Sequence, residues 1–313
     1  MLKLTDQLMP FMFFVLFFAA NFASAFAQTE KQANADGVLL NYRVFGKGTP
    51  IILLSGGPGI ASDYFAPLAK VLGETHQAIL LDQRGTGKSR LETVDQNTIN
   101  FDNFVNDLEI VRENFKSDRW ILLGHSWGGV LAMAYAAKHP ERVQAMILAG
   151  SGGINLDYVQ YYPANVLSRL TPAEREAAQF WLEPTRFMSN PDRAILEYSR
   201  ITAPAMVFER KHSYALVEQT LGDGGFNTAV NLTMNQEWMM NPYDFREPLR
   251  KLNSPVLIVQ GRQDPVGEST AYQIQQHLPN AKLKFIEQCG HWAFVEHEQE
   301  FVQLVRDFLK SVE

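Results

Sequence analysis

The sequence predicts an α/β protein: a mostly parallel sheet flanked by helices, with a helical cap inserted into it. Three observations carry this reading. Short, uniformly apolar runs recur along the chain, as expected for parallel strands buried on both faces. Longer stretches with helical spacing separate them. That alternation stops for roughly 100 residues after about residue 150, too long for a loop in a compact domain, and then resumes.

The elements follow in order. Residues 38–44 read as a strand, and 51–54 as a continuous apolar strand ending in Ser55-Gly56-Gly57-Pro58-Gly59. Residues 78–81 form another strand, ending at Asp82. Phe101, Phe104, Val105, Leu108, Val111 and Phe115 share one helical face. Strand 120–123 leads through a glycine-rich turn into a helix-compatible stretch over 130–138, and strand 143–149 follows. Between 151 and 254 the signals are helical. Thr171-Pro172-Ala173-Glu174 is a capping box with proline at the first helical position. Strands 256–259 and 283–286 resume the pattern, and Phe301, Leu304, Val305, Phe308 and Leu309 line a last helix. The sheet domain is therefore expected over 28–150 and 255–313, and the cap over 151–254.

Residues 1–27 are set apart. Lys3 precedes an uncharged apolar run over 10–20, and Ala25-Phe26-Ala27 or Ala23-Ser24-Ala25 offers a small-residue cleavage pattern. The run is short of the ~20 residues of a comfortable membrane span. A signal peptide and an exported protein are expected, with an uncleaved anchor as the alternative.

Charge and cysteine content narrow the function. With 28 Lys+Arg against 34 Asp+Glu the net charge is −6, which argues against a nucleic-acid backbone binder. A single cysteine, Cys289, excludes an internal disulfide and a cysteine-rich zinc site. His297-Glu298-Gln299-Glu300 lacks the second histidine of a metalloprotease helix. Gly87-Lys88-Ser89 resembles the end of a P-loop, but Asp82 stands where that motif needs glycine. Gly57-Pro58-Gly59-Ile60-Ala61-Ser62 ends in serine where a dinucleotide fingerprint needs glycine or alanine. No metal, nucleotide or other cofactor is expected.

Gly124-His125-Ser126-Trp127-Gly128-Gly129 joins a buried strand to a helix. That is the setting of a nucleophile elbow, whose tight turn needs small flanking residues and lifts the serine hydroxyl toward a helix N-terminus. A serine nucleophile needs a base, and the base an orienting acid. His291, just past strand 283–286, and Asp264, just past strand 256–259, both fall where loops converge over the carboxyl edge of a parallel sheet. Ser126, Asp264 and His291 thus form the candidate triad, in the chain order of α/β-hydrolases. His125 is read as packing beside the nucleophile and His139 as a surface cap. The backbone N–H groups of Trp127 and Gly57 are the candidate oxyanion donors. Gly57 has no side chain to block an approaching oxygen, and Pro58 stiffens its loop.

Ser55-Gly56-Gly57-Pro58-Gly59, Asp82-Gln83-Arg84-Gly85-Thr86-Gly87-Lys88-Ser89 and the elbow together resemble the proline iminopeptidase family of α/β-hydrolase serine peptidases. The resemblance covers roughly 36–150 and 255–313. It implies the α/β-hydrolase fold and a Ser–Asp–His enzyme that removes an N-terminal residue, often proline, from short peptides. It assigns the same triad and oxyanion donors, and Arg84 is read as bracing its loop. Two departures stand out. Ser55 occupies a place where the family usually has histidine, and the cap is not matched. Family members hold the substrate's free amine with acidic cap residues, so Glu209 and Glu237 are the candidates here, with Glu183 in reserve. An aminopeptidase on small peptides is the leading expectation. An esterase, lactonase or other small acyl hydrolase with the same triad is the alternative, because specificity resides in the cap. Met234, Trp238, Met239 and Met240 are read as core rather than pocket.

Overall fold

The computed structural model describes residues 28–222 and 224–312; the expected signal peptide lies outside the described residues. Eight strands form one sheet: β1 (Thr29–Ala35), β2 (Val38–Phe45), β3 (Pro50–Leu54), β4 (Gln77–Leu81), β5 (Trp120–His125), β6 (Val143–Ala149), β7 (Val256–Gly261) and β8 (Ala281–Ile286). Their spatial order is β1-β2-β4-β3-β5-β6-β7-β8. From β4 to β8 every pairing is parallel, while β1 and β2 are antiparallel to their neighbours.

The sequence reading missed β1, because Thr29-Glu30-Lys31-Gln32 offers no apolar run. The readable signal was the turn. Asp36 (φ 50°) and Gly37 (φ 91°) both adopt the left-handed conformation that a two-residue hairpin needs. The strand is held at the edge by its ladder to β2.

Helices cover both faces: α1 (Ala66–Leu72), α2 (Phe101–Asn114) and α3 (Trp127–Lys138) in the first half of the chain. Side chains alternate along the central strands. Ile52, Leu54 and Leu122 enter one apolar layer with α2 and α3, while Ile51, Leu53, Ile121 and Leu123 enter the other. Burial on both faces is why these strands are apolar without interruption.

Among the described residues between β6 and β7, the regular elements are helical: α4 (Tyr162–Ser168), α5 (Pro172–Leu182), α6 (Pro184–Ser189), α7 (Pro191–Met206), α8 (Ser213–Leu221), α9 (Thr228–Met240) and α10 (Arg246–Leu249). The capping box of α5 is formed, with Thr171 Oγ1 accepting from Glu174 N–H and the Glu174 carboxylate from Thr171 N–H. Tyr243, Leu249 and Leu252 are buried in the apolar layer that also holds α3 side chains, with α10 packed on α3. The chain closes with α11 (Glu268–His277), α12 (Ala293–Glu296) and α13 (Glu298–Lys310), which bracket β8.

Candidate active site

Ser126 sits between β5 and α3 with φ 55° and ψ −117°. This is a strained conformation for a residue with a side chain. It survives because the turn is fixed on every side. Ser126 N–H donates to Ala149 O at 3.1 Å, and Ser126 O accepts from Gly129 and Gly152. The flanking glycines have no room for substitution: a Cβ on Gly124 would lie 2.2 Å from Gly128 O, and one on Gly128 would lie 2.0 Å from Leu54 O.

Asp264 and His291 meet above the sheet edge. His291 Nδ1 donates to Asp264 Oδ2 at 2.9 Å, and Asp264 Oδ1 accepts from Val266 N–H at 2.9 Å. Both side chains are buried. This bond occupies Nδ1 and leaves Nε2 for proton transfer. His291 and Ser126 line the same cavity, of about 480 Å³, which lies between the sheet domain and the cap and is partly open to solvent.

The loop after β3 completes the lining. Gly57 has φ 118°, and a Cβ there would lie 2.7 Å from Gly59 N, so glycine is required by both backbone and space. Its N–H has no acceptor among the described residues, whereas Gly56 N–H is occupied by Tyr64 Oη at 2.7 Å. Trp127 N–H lies in the first turn of α3, where no intrahelical partner exists. Two free donors, one from each loop, suit a developing oxyanion.

Buried polar bonds tie these loops together. Gln83 accepts from Trp127 Nε1 at 2.8 Å and donates to Ser55 O at 2.8 Å, joining the elbow to the glycine loop. Ser55 Oγ closes its own loop on Ile60 O. Arg84 makes a buried two-pronged pair with Asp107. Tyr64 Oη donates to His125 Nδ1, and His125 Nε2–H to the His291 carbonyl at 3.1 Å. This chain of donors requires a neutral imidazole at His125. Burial, and secondarily the neighbouring His291, hold its pKa well below the ordinary value.

Several positioning residues gave no signal in the sequence. Gly150 (φ 50°) is one: a Cβ there would sit 3.0 Å from Asp264 Oδ2 and 3.2 Å from His291 Nδ1. Only the folded chain places it under the acid–base pair. Asn231, on α9, is another, donating to Pro58 O at 3.0 Å in the loop that carries Gly57.

The cap carboxylates proposed to hold a substrate amine are not in the cavity lining. Glu209 is exposed and paired with Lys211 at 2.8 Å. Glu237 accepts from Asn241, one turn farther along, at 3.1 Å. Glu183 caps α6 through Thr185 and Arg186 N–H. The cap contributes mainly apolar side chains, among them Leu182, Phe187, Ile195 and Leu216, with the amides of Asn231 and Asn235. Met234 is buried core as read, but Met239 and Met240 are exposed. Among the described residues no cluster of His, Cys, Asp or Glu is placed to hold a metal ion.

Residues 49–298 match the family model of the α/β hydrolase fold, and the chain belongs to that family. Within it the chain is similar to proline iminopeptidases. The protein so named from Lactobacillus crispatus (strain ST1) is 29% identical over 275 residues, 86% of this chain and 93% of the relative. The proline iminopeptidase structure from Mycobacterium smegmatis matches with TM-score 0.66 at 22% identity, covering 91% of this chain and 98% of that one. An esterase structure from Rhodococcus sp. ECU1013 matches with TM-score 0.72 at 24% identity, covering 91% and 99%.

Proposed function

We propose that this protein is a serine acyl hydrolase in which Ser126 is the nucleophile, His291 the base and Asp264 the orienting acid. The observation that carries the reading is the His291–Asp264 bond, whose free Nε2 shares one cavity with a serine held on a left-handed turn. Ser126 Oγ attacks the acyl carbon while its proton passes to His291 Nε2. Gly57 and Trp127 N–H groups receive the oxyanion. The leaving group departs with that proton, and water then hydrolyses the acyl-enzyme by the same route. Asp264 orients the imidazole and stabilises the imidazolium that forms.

Two substrate classes fit this chemistry. Proline iminopeptidase relatives along most of the chain support an aminopeptidase acting on small peptides. The cavity lining supports a neutral acyl group, as in an ester or lactone. A free α-amino group brought out of water needs a charged or strongly polar partner. None of the described lining residues carries a carboxylate. The lining is the more direct observation, and the neutral acyl substrate is the reading adopted. Prolyl- and alanyl-p-nitroanilide, N-acetyl-prolyl-p-nitroanilide and p-nitrophenyl butyrate separate the two. Cleavage of the butyrate and of the acetylated anilide, with the free amines poor, supports the neutral class. Cleavage of free-amine anilides that acetylation abolishes overturns it in favour of the aminopeptidase.

A further inference from the structure

The loop carrying His291 is held from the cap as well as from the sheet. His291 N–H donates to Met206 O at 2.7 Å. Met206 is the last residue of α7, so its carbonyl has no partner within the helix. Pro204 stands two residues before that end and cannot donate to the helical ladder. Gly290 packs so closely that a Cβ would lie 2.4 Å from Met206 O and 2.6 Å from Val207 Cα.

One carboxylate gathers the remaining donors. Glu296, at the end of α12, accepts from Gly290 N–H at 3.0 and 3.1 Å and from Trp292 N–H at 3.2 Å, the two neighbours of the base. Its Oε2 also accepts from Phe208 N–H at 2.7 Å, just beyond α7. A single side chain therefore joins the base loop to the cap segment that carries Met206 and Val207, two residues of the cavity wall.

We infer that Glu296 is a positioning residue that sets His291 against Ser126 by locking the base loop to the end of α7. The inference rests on the hydrolase reading above. Glutamate fits the task because four N–H···O contacts converge on two oxygens. Glutamine presents one acceptor and one donor, so either Phe208 or Trp292 loses its partner, and alanine releases every contact. The residue touches no reacting atom and acts through the backbone on either side of the base.

The test measures p-nitrophenyl butyrate turnover and the rate at which a fluorophosphonate labels Ser126, for wild type, Glu296→Gln, Glu296→Ala and Ser126→Ala. Each variant is assayed where circular dichroism shows it folded. Misplacement of a catalytic group by a fraction of an ångström to 1 Å predicts kcat and labelling rates down roughly 10-fold for Glu296→Gln and up to about 100-fold for Glu296→Ala, with KM within about 2-fold. A merely structural role lowers the melting temperature and leaves kcat of the folded variant unchanged. Folded variants with wild-type kcat and labelling overturn the inference, and if Glu296→Ala does not fold, Glu296→Gln decides. Turnover retained by Ser126→Ala overturns the hydrolase reading and this inference together; turnover lost in Ser126→Ala with both Glu296 variants unaffected overturns the positioning role alone.

Discussion

The elbow and the two loops facing it are held in different ways. The elbow is a product of the sheet: β5 delivers Ser126, α3 receives it, and Gly124 and Gly128 allow strand and helix to touch. The loops carrying Gly57 and His291 are laced to the cap instead. Segment 225–231 bonds to the first through Gly225 O, Asn227 and Asn231, and residues 206–208 bond to the second. The proposed nucleophile is thus held by the sheet domain itself. The proposed base and one proposed oxyanion donor are bonded to the part that also shapes the cavity. A change in the cap is expected to reach the chemistry through these backbone bonds without touching the substrate.

Experiments that break this contrast range from large effects to small. Ser126→Ala is expected to lower kcat by roughly 10⁴-fold or more while leaving the protein folded; steady-state kinetics beside a thermal melt checks it. Gly128→Ala attacks the elbow through packing. Its Cβ meets main-chain atoms of β3, which cannot step aside as a side chain would. Loss of about 3 kcal/mol or failure to fold is expected from urea unfolding. Gly150→Ala sharpens the comparison. A left-handed backbone costs about 1–2 kcal/mol for alanine, but the added methyl group presses on Asp264 and His291. Its kcat is therefore expected to fall further than its stability, by about 10- to 100-fold.

Asn231→Ala removes one of the cap's bonds to the Gly57 loop, along with an amide of the cavity lining and its bond from Asn235. Stability is expected to change by about 1 kcal/mol and kcat by about 10-fold, with KM moving less than kcat; a drop in stability alone would separate the cap from the oxyanion loop. A change of pH probes the same region without a substitution. His125 is neutral in the fold, with its pKa depressed, and binds a proton more readily when unfolded. Stability is expected to be flat above the ordinary histidine value near 6.5 and to fall as pH drops below it, by up to ~1.4 kcal/mol per pH unit for the one proton. Urea midpoints between pH 7 and pH 5 for wild type and His125→Asn measure this. A parallel decline in both proteins would assign the acid sensitivity elsewhere.

The proposed triad is a sequence-level pattern because each member follows a strand. A parallel sheet gathers the carboxyl ends of its strands on one edge, so local patterns alone point Ser126, Asp264 and His291 to one site. The left-handed turn at Ser126 was likewise implied by glycines on both sides. Chain order and strand ends say nothing of a helix that has no sheet beneath it. Whether a cap carboxylate faces the cavity depends on how α5 to α9 rotate and cross, and side-chain spacing within one helix does not reveal that. Glu209 and Glu237 were named for their charge and their neighbours, yet Glu209 lies on the surface and Glu237 outside the cavity lining.

The amino-acid sequence by itself determined the α/β sheet, the tight turn at Ser126 and the chain order of the residues proposed as acid–base partners, since each rests on interactions between residues near in the chain or on the repeating geometry of strands. Tertiary structure decided what those groups are braced by. Gly150 lies under the Asp264–His291 pair, Glu296 gathers donors from positions 208, 290 and 292, and Asn231 reaches a carbonyl at position 58. Such contacts join segments up to 173 residues apart, and only the packing of the cap on the sheet domain brings them within hydrogen-bond range.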